Sequence, residues 1–354
     1  MPRPTVHDIA SKAGVSLATV DRVLNSRPGV RAKTIDKVNA AISEIGYVRD
    51  VAAANLARQR DYRFVFVIPK GESWFLRQLE NVIDEARHRV ISQRIQVETV
   101  RVDADNPHAL VAMLDHFGYH RVDGIAVMAP ETPQLRDAIT HLRQEGITVL
   151  ALLSDLPNSA VDDFVGIDNV AAGRTAAALI GRFMGETSAR DILVIAGSML
   201  ARDHIDRRLG FDQTIQAMFP KLRVLPTLEA WNDANVIAKR LPALLAANRQ
   251  IGGIYSVGGG NSGVIDVLAK QGRGDVTVIA HDLTPITQHG LLSGVIDALI
   301  VQDLGHAARS AVRLMRARRD REPVLQAQER IRLEIIIKEN LPEEGGQIHL
   351  EERQ

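Results

Sequence analysis

From Arg63 onward the chain alternates short apolar-rich runs with longer amphipathic stretches. The runs are Phe64–Ile68, Ile95–Val102, Gly124–Met128, Thr148–Leu152, Ile192–Ala196, Gly253–Val257, Val276–Ala280 and Ala298–Val301. Short apolar runs with little polar alternation predict strands buried on both faces, as in parallel sheets. Strands alternating with helices predict doubly wound sheets, which bind ligands outside the carboxyl ends of their strands. About ten strands are too many for one such sheet of ordinary size, so two lobes are expected. No solenoid-type repeat is visible.

The first sixty residues follow a different period. Thr5 and Asp8 have capping-box spacing, with Asp in place of the usual Glu, and Val6, Ile9, Ala10 and Ala13 then recur at helical spacing. Gly14 ends that helix. Ser16 can cap a second helix whose apolar positions are Val20, Val23 and Leu24. After Asn25-Ser26-Arg27-Pro28-Gly29 a third helix shows Ile35, Val38, Ala41, Ile42 and Ile45, and stops at Gly46. Two short helices around a Gly turn, closed by a third, form a helix-turn-helix pattern.

Charge sharpens this division. The 354 residues carry no net formal charge, but residues 1–60 hold ten Lys/Arg against five Asp/Glu, and the remainder holds 33 against 38. A basic head on an acidic body is the asymmetry of a DNA-binding arm. Cysteine is absent, which excludes disulfides and Cys-ligated zinc. The N-terminus lacks the apolar core of a secretory signal, and no run of about 18 apolar residues exists to span a membrane. A cytoplasmic protein without a membrane partner is therefore expected. His7, His281 and His306 lack metal-type spacing, and no P-loop or G-x-S-x-G is present, so neither catalysis nor a cofactor is expected.

Thr5–Asn25, Lys33-Thr34, Val38, Ile45-Gly46-Tyr47 and Ala52-Ala53-Ala54-Asn55-Leu56-Ala57 closely resemble the head and hinge of the lactose-repressor (LacI) family of transcription regulators. The resemblance implies a helix-turn-helix domain over 1–48 and a hinge helix and linker over 49–61. It implies that the second helix lies in the major groove of operator DNA. There Leu17 and Ala18 would make apolar base contacts and Arg22 would reach guanine O6/N7. Thr19, Asn25, Lys33 and Thr34 would hold phosphates, and Leu56 would wedge into the minor groove. The sequence departs from the family at Asp21, where a small hydroxyl is usual, and at Arg31, where a capping Ser/Thr is usual. Asp21 would repel phosphate unless it orients Arg22 or turns away.

Residues 62–340 resemble the periplasmic sugar-binding proteins and the sensing domains of lactose-type repressors. The implied fold class is therefore an all-α helix-turn-helix head on an α/β two-lobed, periplasmic-binding-protein-like (type I) body. Lobe one is expected at about 62–166 plus 303–330, lobe two at about 167–302 plus 331–340, and a polar tail at 341–354. Three crossings would join the lobes, with a sugar in the cleft. Trp74 or Phe75 after the first strand could stack on a sugar ring, and Asp155 after the fourth could accept its hydroxyls. Arg207, three residues before Gly210, matches the family's ligand-binding Arg, and Trp231 its second stacking aromatic. Asp282 ends a strand and Gln302 lies at a return crossing. Two rings with Asp, Arg and Gln suit a neutral polyol.

One motif points elsewhere. Gly258, Gly260 and Gly263 follow a strand as G-x-G-x-x-G, and Asp282 lies nineteen residues after Gly263, which is the dinucleotide fingerprint in form. Its late position in the chain favours a ligand-binding loop. The leading expectation is a non-enzymatic, DNA-binding regulator of repressor type. It would be a homodimer on a palindromic operator and would respond to a small sugar or polyol. A sugar-binding transport-type protein is an alternative, and a nicotinamide-dependent dehydrogenase a remote one. Pro342, Gly345 and Gly346 interrupt the tail, which has no leucine heptad for tetramers.

Overall fold

The computed structural model describes residues 4–24, 29–47, 61–103, 106–119, 122–185 and 190–342. Asn25, Leu56, the hinge stretch 49–60 and the tail from 343 lie outside the described residues. The chain divides into a head and a body, described separately below.

The head has three helices, α1 (Val6–Ala13), α2 (Leu17–Leu24) and α3 (Ala32–Ile45). Asp8 accepts from the Thr5 amide at 2.7 Å and from its hydroxyl at 2.8 Å, which fixes the start of α1. Gly14 and Gly46 stop α1 and α3 in left-handed conformation (φ 63° and 64°), which glycine adopts without cost. The Ser16 hydroxyl accepts from the Thr19 amide at 3.2 Å and caps α2, whereas Arg31 caps α3 with no side-chain bond. Ile9, Ala10, Ala13, Val20, Val38 and Ala41 form the core. Val6 and Ile35, which share the helical spacing, are exposed instead.

The body contains two sheets. The first has the order β2-β1-β3-β4-β5 and is wholly parallel, with β1 Tyr62–Pro69, β2 Ile95–Val102, β3 Gly124–Val127, β4 Thr148–Leu152 and β5 Asp163–Val165. The second has the order β12-β11-β10-β9-β6-β7, with β8 also on β6. Its strands are β6 Asp191–Ala196, β7 Arg223–Val224, β8 Leu228–Glu229, β9 Ile251–Ser256, β10 Thr277–His281, β11 Ala298–Gln302 and β12 Leu333–Ile336. Strand alternation sends neighbouring residues to opposite layers, and both layers are covered. Phe64, Phe66 and Ile68 of β1 meet Leu79, Ile83 and Ala86 of α4 (Trp74–Val90), while Val65 and Val67 join the opposite core with α5 (Pro107–Tyr119) and α6 (Pro133–Gln144). In the second sheet Ile192, Val194 and Ala196 face α7 (Asn169–Met184) and α8 (Arg202–Met218). Leu193 and Ile195 face α9 (Ala234–Ala247) and α10 (Asn261–Lys270).

After β11 the chain returns to the first sheet as α11 (Leu304–Asp320). A Cβ on Gly124 of β3 would lie 2.9 Å from Met315 Sδ, and Arg319 donates to Asp123 at 2.9 Å. The chain then adds β12 antiparallel to β11. Strand order reverses between β1 and β3 in the first sheet and between β6 and β9 in the second. At such switch points the flanking loops part and leave a crevice at the carboxyl ends. Among the described residues no helix is long and apolar enough to cross a membrane.

Candidate functional site

The carboxyl ends of the two sheets meet. Just past β4, Ser154 donates to Asp203 Oδ1 at 3.2 Å on the first turn of α8, and the Asn169 amide donates to the Leu153 carbonyl at 3.5 Å. His204, Arg207 and Phe211 share the buried face of α8 at i, i+3 and i+7. Glycines bring this face in. A Cβ on Gly173 would lie 1.9 Å from the Arg207 carbonyl oxygen, and one on Gly210 would lie 2.0 Å from that of Val170, so α7 and α8 cross backbone to backbone. Arg207 is 3% exposed. It donates through Nε to Asn169 Oδ1 at 2.8 Å and through Nη1 to the Val257 carbonyl at 2.8 Å. A guanidinium has five N–H donors, so others remain to be offered.

Asp282 follows β10 in left-handed conformation (φ 65°), its amide bonded to the Ile300 carbonyl at 3.1 Å. The residue keeps partial exposure but its carboxyl is enclosed. Burial pushes that carboxyl up to about 6, against the pull of Arg207; Asp203 adds to the rise and a hydrogen bond from Gln302 opposes it. A carboxylate accepts, so Gln302 must offer it the amide nitrogen. Its Oε1 is left buried without a partner among the described residues. Beneath lie two neutral histidines. His281 bonds the Tyr255 hydroxyl at 2.8 Å, Tyr255 stacks on Phe211 at 4.7 Å, and burial holds His281 well below its ordinary value. Burial also lowers His204. With both histidines neutral, the acidic and basic side chains left in this cluster are Asp203, Arg207 and Asp282.

Arg207, Asp282 and Gln302 therefore come together. Trp231, 66% exposed, stands on the loop after β8, its amide bonded to the Gly197 carbonyl at 2.7 Å. Trp74, also exposed, opens α4 behind the Ser73 cap, while Phe75 packs against the core. Asp155 commits one oxygen to the Leu156 amide at 2.7 Å, and its neighbour Ser154 is the residue that reaches the second sheet. The sequence pattern does not single out Asp203, His204, Tyr255, His281 or Ser154 as site residues. The helical period is the signal that points to the first two, which precede Arg207 on one turn of helix.

The glycine loop is occupied by the chain itself. The Gly259 amide donates to Asn232 Oδ1 at 2.8 Å, and a Cβ on Gly263 would lie 2.4 Å from the Ala234 carbonyl oxygen. The amide that a pyrophosphate would require is taken, which disfavours the dinucleotide reading.

In the head, Leu17, Ala18, Asp21 and Arg22 form one exposed stripe along α2, with Val20 buried behind it. Thr19 is half-buried and its hydroxyl lies 2.9 Å from that of Ser16. At the start of α3, Lys33 is exposed and Thr34 half-buried.

The profile of the bacterial regulatory proteins of the lacI family matches residues 5–50, and that of the periplasmic binding protein domain matches residues 64–322. The HTH-type transcriptional regulator DegA of Bacillus subtilis is 28% identical over 215 residues, 60% of this chain and 61% of DegA. The HTH-type transcriptional repressor PurR of Histophilus somni is 24% identical over 220 residues, 60% of this chain and 61% of PurR. The matched region thus spans about three fifths of the length of these relatives. Among solved structures, GanP, a glucose-galactose binding protein from Geobacillus stearothermophilus, superimposes with a TM-score of 0.71 at 22% identity over 80% of this chain and 99% of GanP. An ABC transporter solute binding protein from Burkholderia graminis, in complex with D-arabinose, gives 0.71 at 23% identity over 83% of this chain and 98% of that one. At these identities the likeness establishes the fold of the body. With its lacI-type head and its two-sheet body, the chain belongs to the lacI family of bacterial regulatory proteins that carry a periplasmic binding protein domain.

Proposed function

We propose that the protein is a cytoplasmic, homodimeric repressor whose affinity for a palindromic operator is set by a small neutral sugar or polyol bound between the two sheets. One observation carries the reading: a lacI-type head and a periplasmic-binding-protein body lie in one chain. The exposed stripe of α2 supplies base contacts through Leu17, Ala18 and Arg22, and Thr19, Lys33 and Thr34 reach phosphate. Asn25 and Leu56 complete the interface. In the body Arg207 and Asp282 hold hydroxyls, Gln302 Oε1 accepts another, and Trp231 with Trp74 covers apolar ring faces. Phe75 supports Trp74, and Asp155 lines the rim. Two carboxylates against one guanidinium favour a neutral ligand over a phosphorylated one. PurR of Histophilus somni is a repressor, and GanP of Geobacillus stearothermophilus binds glucose and galactose; both fit this assignment. Effector binding alters the angle between lobes 62–166 plus 303–330 and 167–302 plus 331–340, and through it the pairing of two hinge segments on DNA.

In the test, an operator is selected from random duplexes with the full chain, and pentoses, hexoses, cyclitols and their phosphates are screened by thermal shift. A neutral effector at ~100 times its Kd should stabilise the fold by roughly 2.7 kcal/mol and change operator affinity. Failure to enrich any duplex removes the head assignment. Stabilisation only by phosphates removes the neutral-ligand assignment.

A further inference from the structure

The turn after β8 is strained in a way the fold alone does not require. Trp231 and Asn232 are consecutive left-handed residues, with φ 51° and 59°. Asparagine tolerates that region, but for a bulky tryptophan it is a true outlier, and such outliers persist only where surrounding contacts hold them. The contacts are visible. On one side the Trp231 amide donates to the Gly197 carbonyl, at the end of β6, at 2.7 Å. On the other, Asn232 Oδ1 accepts from the Gly259 amide, just past β9, at 2.8 Å.

The glycines around this side chain have a common purpose. A Cβ on Gly197 would stand 2.3 Å from Asn232 Oδ1, and one on Gly258 would stand 2.6 Å from it. A Cβ on Gly259 would lie 3.1 Å from the Asn232 Cβ, and one on Gly260 would lie 3.2 Å from the Asn232 carbonyl carbon. Gly197 and Gly258 follow β6 and β9, the two strands between which the order of the sheet reverses. The Asn232 side chain therefore sits in the gap between the β6 and β9 loops at the switch point. The glycine-rich loop that resembles a dinucleotide fingerprint is shaped to receive this amide.

We propose that Asn232 is a positioning residue: wedged between the β6 and β9 loops, it locks Trp231 in its strained conformation and so holds the exposed indole as a preset platform for the effector ring. Backbone strain thereby fixes, before the ligand arrives, a ring that would otherwise swing on a loop. Preorganising such a side chain removes the ordering cost that binding would carry. The inference rests on the sugar-cleft reading for what the platform serves, but the lock itself is a property of the ligand-free protein.

The test uses the full chain with Trp74→Phe, which leaves Trp231 as the single tryptophan. In that background Asn232 is changed to Asp, Gly and Ala. Steady-state anisotropy and acrylamide quenching of Trp231 are read without any sugar, with melting and far-UV dichroism to confirm folding. Asn232→Asp keeps the acceptor and should match the parent. Asn232→Gly keeps the left-handed backbone but removes the wedge. It should lower the anisotropy and raise the quenching constant about twofold, as expected of a freed side chain. Asn232→Ala should do the same. Gly258→Ala should reproduce that signature with Asn232 intact, because its Cβ displaces Oδ1. If folded Asn232→Gly or Gly258→Ala leaves the anisotropy unchanged, or if Asn232→Asp behaves like Asn232→Gly, the lock is overturned. Because no sugar is added, failure of the lock is distinguishable from failure of the cleft in the thermal-shift screen.

Discussion

Asp282 meets two opposed demands. As a carboxylate it offers the acceptors a polyol needs, yet its enclosure raises it to about 6, so the ligand-free fold holds a proton there more tightly than water does. The sign follows by linkage. A carboxyl raised in the folded state contributes stability at low pH, and that contribution is lost as pH climbs from its ordinary 3.8 to about 6. Above that window the charge destabilises the empty protein, by up to about 3 kcal/mol if the whole shift is realised. Asp282→Asn should therefore be more stable than the parent at pH 7.5, with the advantage shrinking toward pH 4.5, and should bind effector one to two decades more weakly. Urea unfolding of both proteins at both pH values checks this; an advantage that does not change with pH would remove Asp282 as the titrating group. At Arg22 the expectation is simpler. The side chain is exposed on α2, so Arg22→Ala should leave folding intact, cost roughly 1–3 kcal/mol of operator binding and relax one base pair per half-site. Unchanged base preference in footprints of the variant would take Arg22 out of the readout.

At the scale of elements, the crossing of α7 on α8 is what delivers Arg207 to the site. Gly173 and Gly210 each face the other helix's carbonyl at a distance no Cβ can accept, and the carbonyl that Gly173 faces is that of Arg207 itself. Gly210→Ala must push the helices apart. We expect a loss of about 3 kcal/mol or more, at the upper end of overpacking, whereas Gly274→Ala, where a Cβ meets open space, should be close to neutral. Denaturant melts of the two variants decide it; equal midpoints would mean that the crossing yields freely. The long strands are legible in the sequence: burial on both faces makes the apolar runs of β1 and β4 dense, while β2, an edge strand exposed at Gln96, Glu98, Thr99 and Arg101, reads from its length and its Ile95, Val97, Val100 and Val102; all three fall where the pattern puts them within two residues. β5, β7 and β8 are not, because two or three paired residues leave no period to read, and β12 is not because an edge strand is partly exposed along Leu333-Glu334-Ile335. The same limit acts within the site. The pattern locates the end of β4, but a turn with Leu153 in left-handed conformation (φ 60°) makes Ser154, and not Asp155, the residue that bridges to Asp203. The glycine loop shows a further limit: its spacing is plain in the sequence, but the partner it accommodates, Asn232, is twenty-six residues away from Gly258.

For the whole molecule, regulation requires that head and body share a free-energy difference, and linkage makes that requirement measurable from either end. If effector changes operator affinity by some factor, operator must change effector affinity by the same factor. For the parent protein we expect a factor of about 5–150, the usual span of a coupling of 1–3 kcal/mol. Asp282→Ala removes a buried acceptor from the body and nothing from α2, so without effector it should hold the operator as the parent does. With effector at a concentration that releases the parent, it should stay bound. The comparison must be made at one fixed salt concentration, because phosphate contacts from the basic head make every operator affinity steeply salt-dependent. Titrating effector into the parent with and without saturating operator closes the cycle. Equal effector affinities in the two titrations would mean that the cleft does not control the head, however tightly each binds its own partner, and the regulatory assignment would then fall while both binding sites stood.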